Sequence, residues 1–325
     1  MESTTGISYQ DLSGLKKQTR AKAAWKTFKR YRALFLMVIP GLLYLAINNY
    51  MPMFGVIIAF KNINYRKGIL GSDWVGLKNF EYLFKTSDAW IITRNTILYN
   101  GFFIILNLAL AVAVAILLNE VRHRFMSRFY QTVVLLPHLI SMVIVGYLVL
   151  AFLNAENGFV NHHILPLLGL EPISWYSDPK YWPYILTIVN VWKHVGYLCI
   201  IFLASIVGID QEYYEAATID GASKWQQIRA ITLPLLTPTI TIMALLAIGR
   251  IFYSDFGLFY QVPLNSGPLQ PTTDVIDTYV YRGLMTLGDI GMSSAAGLYQ
   301  SLVGFILVLI SNYAVSRKNR DQALF

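Results

Sequence analysis

Charge is what this sequence has least of. Asp, Glu, Lys and Arg together make up 14% of its 325 residues, against roughly 25% in soluble domains, so the chain is not built to dissolve in water. Cysteine is nearly absent. The single Cys199 sits inside an apolar run, which excludes an intramolecular disulfide and a cysteine-based zinc cluster. There is no G-x-x-x-x-G-K-[ST] phosphate loop, so the chain has no recognisable nucleotide cradle of its own. His138, His162 and His163 do not form an H-E-x-x-H or other ligand pattern, and Glu156, Glu171 and Asp178 form no acid and base pair. These read as packing and solvated loop residues, and no converging catalytic set marks an enzyme. Internal repeats, heptads and low-complexity tracts are also missing. The net charge of +8 could suggest nucleic acid, but the basic residues gather at the ends of apolar runs and no nucleic-acid motif accompanies them. Anionic headgroups and orientation signals account for them better.

Apolar length is what the sequence has. Hydrophobic residues make up 55% of the chain and the mean hydropathy is +0.49. Crossing about 30 Å of hydrocarbon as a helix takes roughly 20 apolar residues, and six stretches meet or approach this: 33–60, 96–118, 131–153, 182–207, 238–259 and 297–315. The expectation is an all-α membrane protein with six transmembrane helices. Residues 1–32 form a basic N-terminal segment, 33–315 one six-span domain, and 316–325 a tail. The first 32 residues are polar and the first apolar run is too long for a signal-peptide core, so a cleaved leader is not expected. Pro40 and Pro52 predict kinks or helix ends in the first span.

Orientation follows the basic residues. Lys16, Lys17, Arg20, Lys22, Lys26, Lys29, Arg30 and Arg32 precede the first span, Arg122, Arg124 and Arg128 join the second to the third, and Arg317, Lys318 and Arg320 follow the last. The positive-inside rule then puts both termini in the cytoplasm. Lys61, Arg66, Lys67, Lys78, Lys85 and Arg94 run against this in the first outside connection, and the denser N-terminal cluster is taken to prevail. On this topology residues 208–237, between the fourth and fifth spans, are cytoplasmic.

That insert reads as helix, turn, helix. Glu212 and Glu215 sit near the start of a first helix ending at Ile219, where carboxylates favour the positive end of the dipole. Asp220 and Gly221 reverse the chain, and Ser223 with Gln226 matches a capping box for a second helix through Trp225 to Ile231. By pattern alone this could be a hairpin lying on the headgroups.

Glu215, Ala216 and Ala217, then Asp220 and Gly221, then Ile231, Leu233 and Pro234 resemble the EAA loop of binding-protein-dependent ABC import permeases. Leu136-Pro137, Gly158, Asn161, Trp192-Lys193 and Asp277-Thr278-Tyr279 are similar to the carbohydrate-importing branch, including its oligosaccharide and alginate-like polyuronate importers. The resemblance implies that Glu212, Glu215, Ala216, Ala217, Asp220, Gly221 and Trp225 belong to a coupling helix and its turn, seated in a partner ATPase. It also implies a second permease subunit as a heterodimer partner, an ATPase dimer that carries the ATP and Mg, and an extracytoplasmic binding protein. The location implied is the bacterial inner membrane. No cofactor is expected on this chain. A stand-alone secondary transporter or channel for a polar solute is the rival reading. Its ATP independence and repeat symmetry would distinguish it.

Ionisable groups inside spans are costly and default to functional candidates. Lys193 and Arg250 each lie about 11 or 12 residues into a predicted span, near mid-membrane at roughly 1.5 Å per residue. Asn190, Lys193 and Tyr197 share one predicted helix face, and Arg250, Tyr253 and Gly257 another. Asp255 falls about 140° around that helix from Arg250. Donors and rings on such faces suit a sugar, and an arginine suits its carboxylate. Asn107 and Gln300 join the candidate path, with interhelical bonding as their other reading.

Overall fold

The computed structural model describes residues 25, 27–81 and 85–318. Lys16, Lys17, Arg20, Lys22, Lys26 and Arg320, on which part of the orientation reading rests, lie outside the described residues. The chain divides into two compact units, residues up to Ile57 and residues from Ile58 onward. Most of the described part of the first is helix α1, which runs on to Phe60 (Arg32–Phe60) and has no buried residue in its apolar window.

In the second unit the long helices are α2 (Ser87–Asn119), α3 (Arg124–Leu139), α4 (Met142–Leu153), α5 (Trp182–Val207), α6 (Gln211–Ile219), α7 (Lys224–Ile248), α8 (Phe256–Gln261), α9 (Ile276–Met285) and α10 (Ile290–Lys318). A two-residue hairpin pairs Lys61 with Trp74 and Asn62 with Asp73. Among the described residues, five helices are long and apolar enough to cross a membrane, and the bent pair of α3 and α4 makes a sixth if counted as one span.

Helix α5 is the centre. It packs along α2 and against α3, and its Trp182, Leu186, Cys199 and Phe202 are fully buried. The approach to α3 is close because Gly196 has no side chain: a Cβ there would lie 1.9 Å from the carbonyl oxygen of Val134. Helix α2 begins nine residues before the expected Thr96, because Thr86 caps it by accepting from the Ala89 N–H at 3.3 Å. A cap and a polar first turn extend the helix beyond its apolar part.

Two expected spans need correction. The third is not one helix. It bends by 95° between α3 and α4, where Ile140 and Ser141 adopt extended backbone. The fifth does not run from Pro238 to Phe259. It starts at Lys224, so the second arm of the insert and the span are one helix, and it stops at Ile248. Residues 249–255 are turn and coil. Arg250, Tyr253 and Gly257 therefore do not share a helix face, and the 140° separation of Asp255 from Arg250 does not apply.

The connections are stitched by side chains. Asn161 donates to the carbonyls of Ala155 and Ile173 and accepts from the Trp175 indole at 2.8 Å, closing the loop before α5. Tyr176, in the same loop, donates to the carbonyl oxygen of Val262 at 3.2 Å, and burial raises its pKa so that it stays a neutral donor.

Candidate functional site

Non-helical backbone is tolerated at membrane depth only where protein or a polar cavity satisfies it. Both breaks in this bundle meet that condition. At the first, the Lys193 ammonium reaches from α5 and donates to the carbonyl oxygens of Pro137 at 3.0 Å, His138 at 3.1 Å and Ile140. An ammonium has three donors, so Lys193 has none left for a ligand. The positive charge also sits at the negative end of α3, where the helix dipole favours it.

The second break, residues 249–255, is held from several sides. Asn100 donates to the carbonyl of Ile251 at 2.7 Å and to the Ser254 hydroxyl at 3.1 Å. Gln300, buried on α10, donates to the carbonyl of Phe252 at 2.8 Å. The backbone N–H of Ser254 donates to Asp277 Oδ2 at 2.8 Å, and Tyr253 shares a 2.7 Å bond with Ser301. Asp255 caps α8 by accepting from the Leu258 N–H at 3.1 Å.

Beside this second break lies a cavity of 330 Å³ whose walls include Asn107 of α2, Asn190, His194 and Tyr197 of α5, and Arg250, Tyr253 and Asp255. Six of the eight residues expected on a substrate path thus line one cavity. Lys193 and Gln300 do not: each is committed to a backbone break instead. His194 takes the place expected of Lys193. Its Nδ1–H donates to Asn190 O at 3.0 Å, and its Nε2 stands 3.6 Å from Asp255 Oδ2. It is four residues from Asn190 and so on the same face by the α-helical period, whereas charge alone points to its neighbour Lys193.

The cavity has both hydrogen-bonding poles and flat apolar surface. Asn107 donates to Asn190 Oδ1 at 2.8 Å, while its own buried Oδ1 has no partner among the described residues and can accept from a ligand hydroxyl. Tyr197, half exposed, stacks on the His138 ring at 4.8 Å. Arg250 is exposed and, among the described residues, has no carboxylate partner. Its planar fork can take a carboxylate at two points. The volume is at the small end of ligand sites, about 300–1,000 Å³.

The insert of residues 208–237 forms a second feature. Asp210 caps α6 through the Glu212 N–H at 3.1 Å. Gly221 closes the helix at φ +77°, with the Ala222 N–H reaching back to Ala217 O at 2.9 Å. The expected capping box of Ser223 and Gln226 is present. Gln227 bonds Thr218 at 3.0 Å and Tyr214 bonds Thr232 at 2.9 Å, fastening α6 onto α7. Glu212, Glu215, Ala216, Asp220, Gly221 and Trp225 are exposed and Ala217 is half-buried. Tyr213, Ile219 and Trp225 add large apolar side chains that the hairpin itself does not cover. Among the described residues no group of three His, Cys, Asp or Glu side chains gathers for a metal.

A polytopic helical bundle with broken spans, a polar cavity at the breaks and a capped external hairpin defines a membrane permease component. The chain belongs to the family of binding-protein-dependent transport system inner membrane components, which its residues 105–320 match. It is 37% identical to Protein LplB of Bacillus subtilis over 91% of this chain and 92% of that one. It is 33% identical to the polygalacturonan/rhamnogalacturonan transport system permease protein YteP of the same organism, over 95% of each. Among solved structures it resembles a bacterial ABC transporter involved in the import of the acidic polysaccharide alginate, with a TM-score of 0.83 and 32% identity, covering 91% of this chain and 99% of that one. The family sets it among the inner-membrane components of multi-subunit systems, and nothing favours a stand-alone carrier.

Proposed function

We propose that this chain is the permease subunit of an ATP-driven importer for acidic oligo- or polysaccharide of the polyuronate kind. The observation that carries the reading is the cavity at the second break, where Arg250, without a carboxylate partner among the described residues, shares the walls with Asn107, Asn190, His194 and Tyr197. The names of similar proteins support it, since two of them refer to acidic polysaccharides. A second, distinct permease completes the path, and an extracytoplasmic binding protein delivers the sugar to the connections 61–95, 154–181 and 260–296. Both termini and the hairpin 208–237 face the cytoplasm. An ATPase dimer, holding the ATP and Mg, grips the hairpin by Glu212, Glu215, Ala216 and Ala217 of α6 and the exposed Trp225 at the start of α7, and its closure moves the hairpin as a rigid body.

The test reconstitutes the chain with its co-expressed partners in vesicles and measures ATPase stimulation by the binding protein loaded with uronate or with neutral oligosaccharide of equal length. Uronate is expected to stimulate and neutral sugar not to. Arg250→Gln is expected to lower uronate uptake about tenfold, the worth of one charge-assisted pair. Equal stimulation by neutral sugar removes the acidic substrate, and failure of any ATPase to co-purify removes the importer.

A further inference from the structure

Away from the substrate cavity, a groove of 650 Å³ opens between the beginning of α2 and the beginning of α5. Two rows of side chains wall it. On α2 these are Arg94, Leu98 and Phe102, and on α5 Tyr184 and Ile188. Spacing by four puts each row on one helix face. The apolar members are strongly exposed, from 53% for Phe102 to 71% for Tyr184, so the groove is open toward whatever surrounds the bundle.

Depth and charge narrow the occupant. No charged residue lies between Arg94 and Glu120, so Arg94 marks the edge of the hydrocarbon, and the exposed Trp90 one turn farther out sits where interfacial tryptophans gather. From Arg94 the α2 row descends eight residues to Phe102, about 12 Å at the helical rise. Arg94 donates through Nε and Nη2 to Asn95 Oδ1 at 3.3 and 3.0 Å, and Asn95 is itself anchored to the carbonyls of Pro271 and Asp274. The guanidinium is thus oriented, and among the described residues no carboxylate pairs with it.

We propose that this groove binds one anionic phospholipid, its phosphate paired with Arg94 and its acyl chain lying between the two rows. A free phosphate would leave the apolar walls uncovered, and a zwitterionic lipid would bring no net charge to the arginine. The proposal is independent of which sugar the chain carries.

The assembled protein is purified from detergent, equilibrated with phosphatidylglycerol or phosphatidylcholine, washed, and the retained lipid per chain is measured by native mass spectrometry. Wild type is expected to retain phosphatidylglycerol preferentially. Arg94→Gln should lower that preference about fivefold, the effect of one basic residue at an anionic surface. Ile188→Trp, which fills the groove, should lower retention of both lipids. A photo-crosslinking residue at Leu98 in the otherwise unchanged protein should capture lipid. Unchanged phosphatidylglycerol retention in Arg94→Gln, or capture of a protein chain at Leu98, overturns the proposal.

Discussion

Lys193 shows how a buried charge can serve backbone instead of ligand. Its depth in the fourth span could be read from the sequence, but its partners could not, because they are carbonyls exposed only by the bend after Leu139. Lys193→Met is expected to leave those oxygens unsatisfied at about 1–3 kcal/mol each, lowering thermal stability in detergent. Selectivity between acidic and neutral sugars should not change in the folded fraction, since the amine does not face the cavity. An altered sugar preference with unchanged melting would place Lys193 in contact with substrate. Arg250, by contrast, was legible as a buried-span arginine for the wrong reason. It lies in a turn after Ile248, and only the termination of α7 brings it beside Asp255, Tyr253 and the α5 residues.

The elements carry a pattern that hydropathy alone does not reveal. The described residues contain three π turns, Ala46–Tyr50, Val160–Ile164 and Ile228–Thr232, and each ends two residues before a proline, namely Pro52, Pro166 and Pro234. A proline lacks an N–H and collides with the carbonyl four residues back. In all three cases that carbonyl lies inside the π turn, whose widened ring lets the helix continue. This is why Pro234 did not separate the insert from the fifth span. The boundaries 182–207 were readable because Asp178 and Lys180 on one side and Asp210 on the other flank a stretch with no proline beyond its first turn, whereas those of the third and fifth spans were not, since side chains remote in sequence stabilise their breaks. The turn of the insert was fully readable. Valine at position 221, with φ near +77°, would cost roughly 1–2 kcal/mol in left-handed strain. Gly221→Val is expected to reduce sugar-stimulated ATP hydrolysis severalfold while the protein still inserts and folds, as checked in reconstituted vesicles; normal stimulation would separate the hairpin from coupling.

For the whole molecule, three of the six basic residues that conflict with the orientation rule have local partners. Lys67 pairs with Asp73 at 3.3 Å, Lys85 with Glu81 at 2.7 Å, and the Lys61 amine donates to the carbonyls of Ile69 and Leu70 at 3.0 and 2.7 Å. The side of the membrane on which the hairpin lies is therefore tested directly. Because the native Cys199 is fully buried, a single cysteine introduced at Trp225 or at Asn64 gives a clean labelling test. A membrane-impermeant maleimide should reach Trp225→Cys only in inside-out vesicles and Asn64→Cys only in right-side-out ones, and the reverse result would invert the topology.

The continuity of α7 has a mechanical corollary. From Lys224 to Ile248 there are 25 residues without a joint, a strut of about 37 Å with Trp225 near one tip and Arg250 just past the other. A push or twist received at the hairpin would travel along this strut to the rim of the cavity, where residues 249–255, pinned by Asn100, Gln300 and Asp277, would hand it on to α2, α9 and α10.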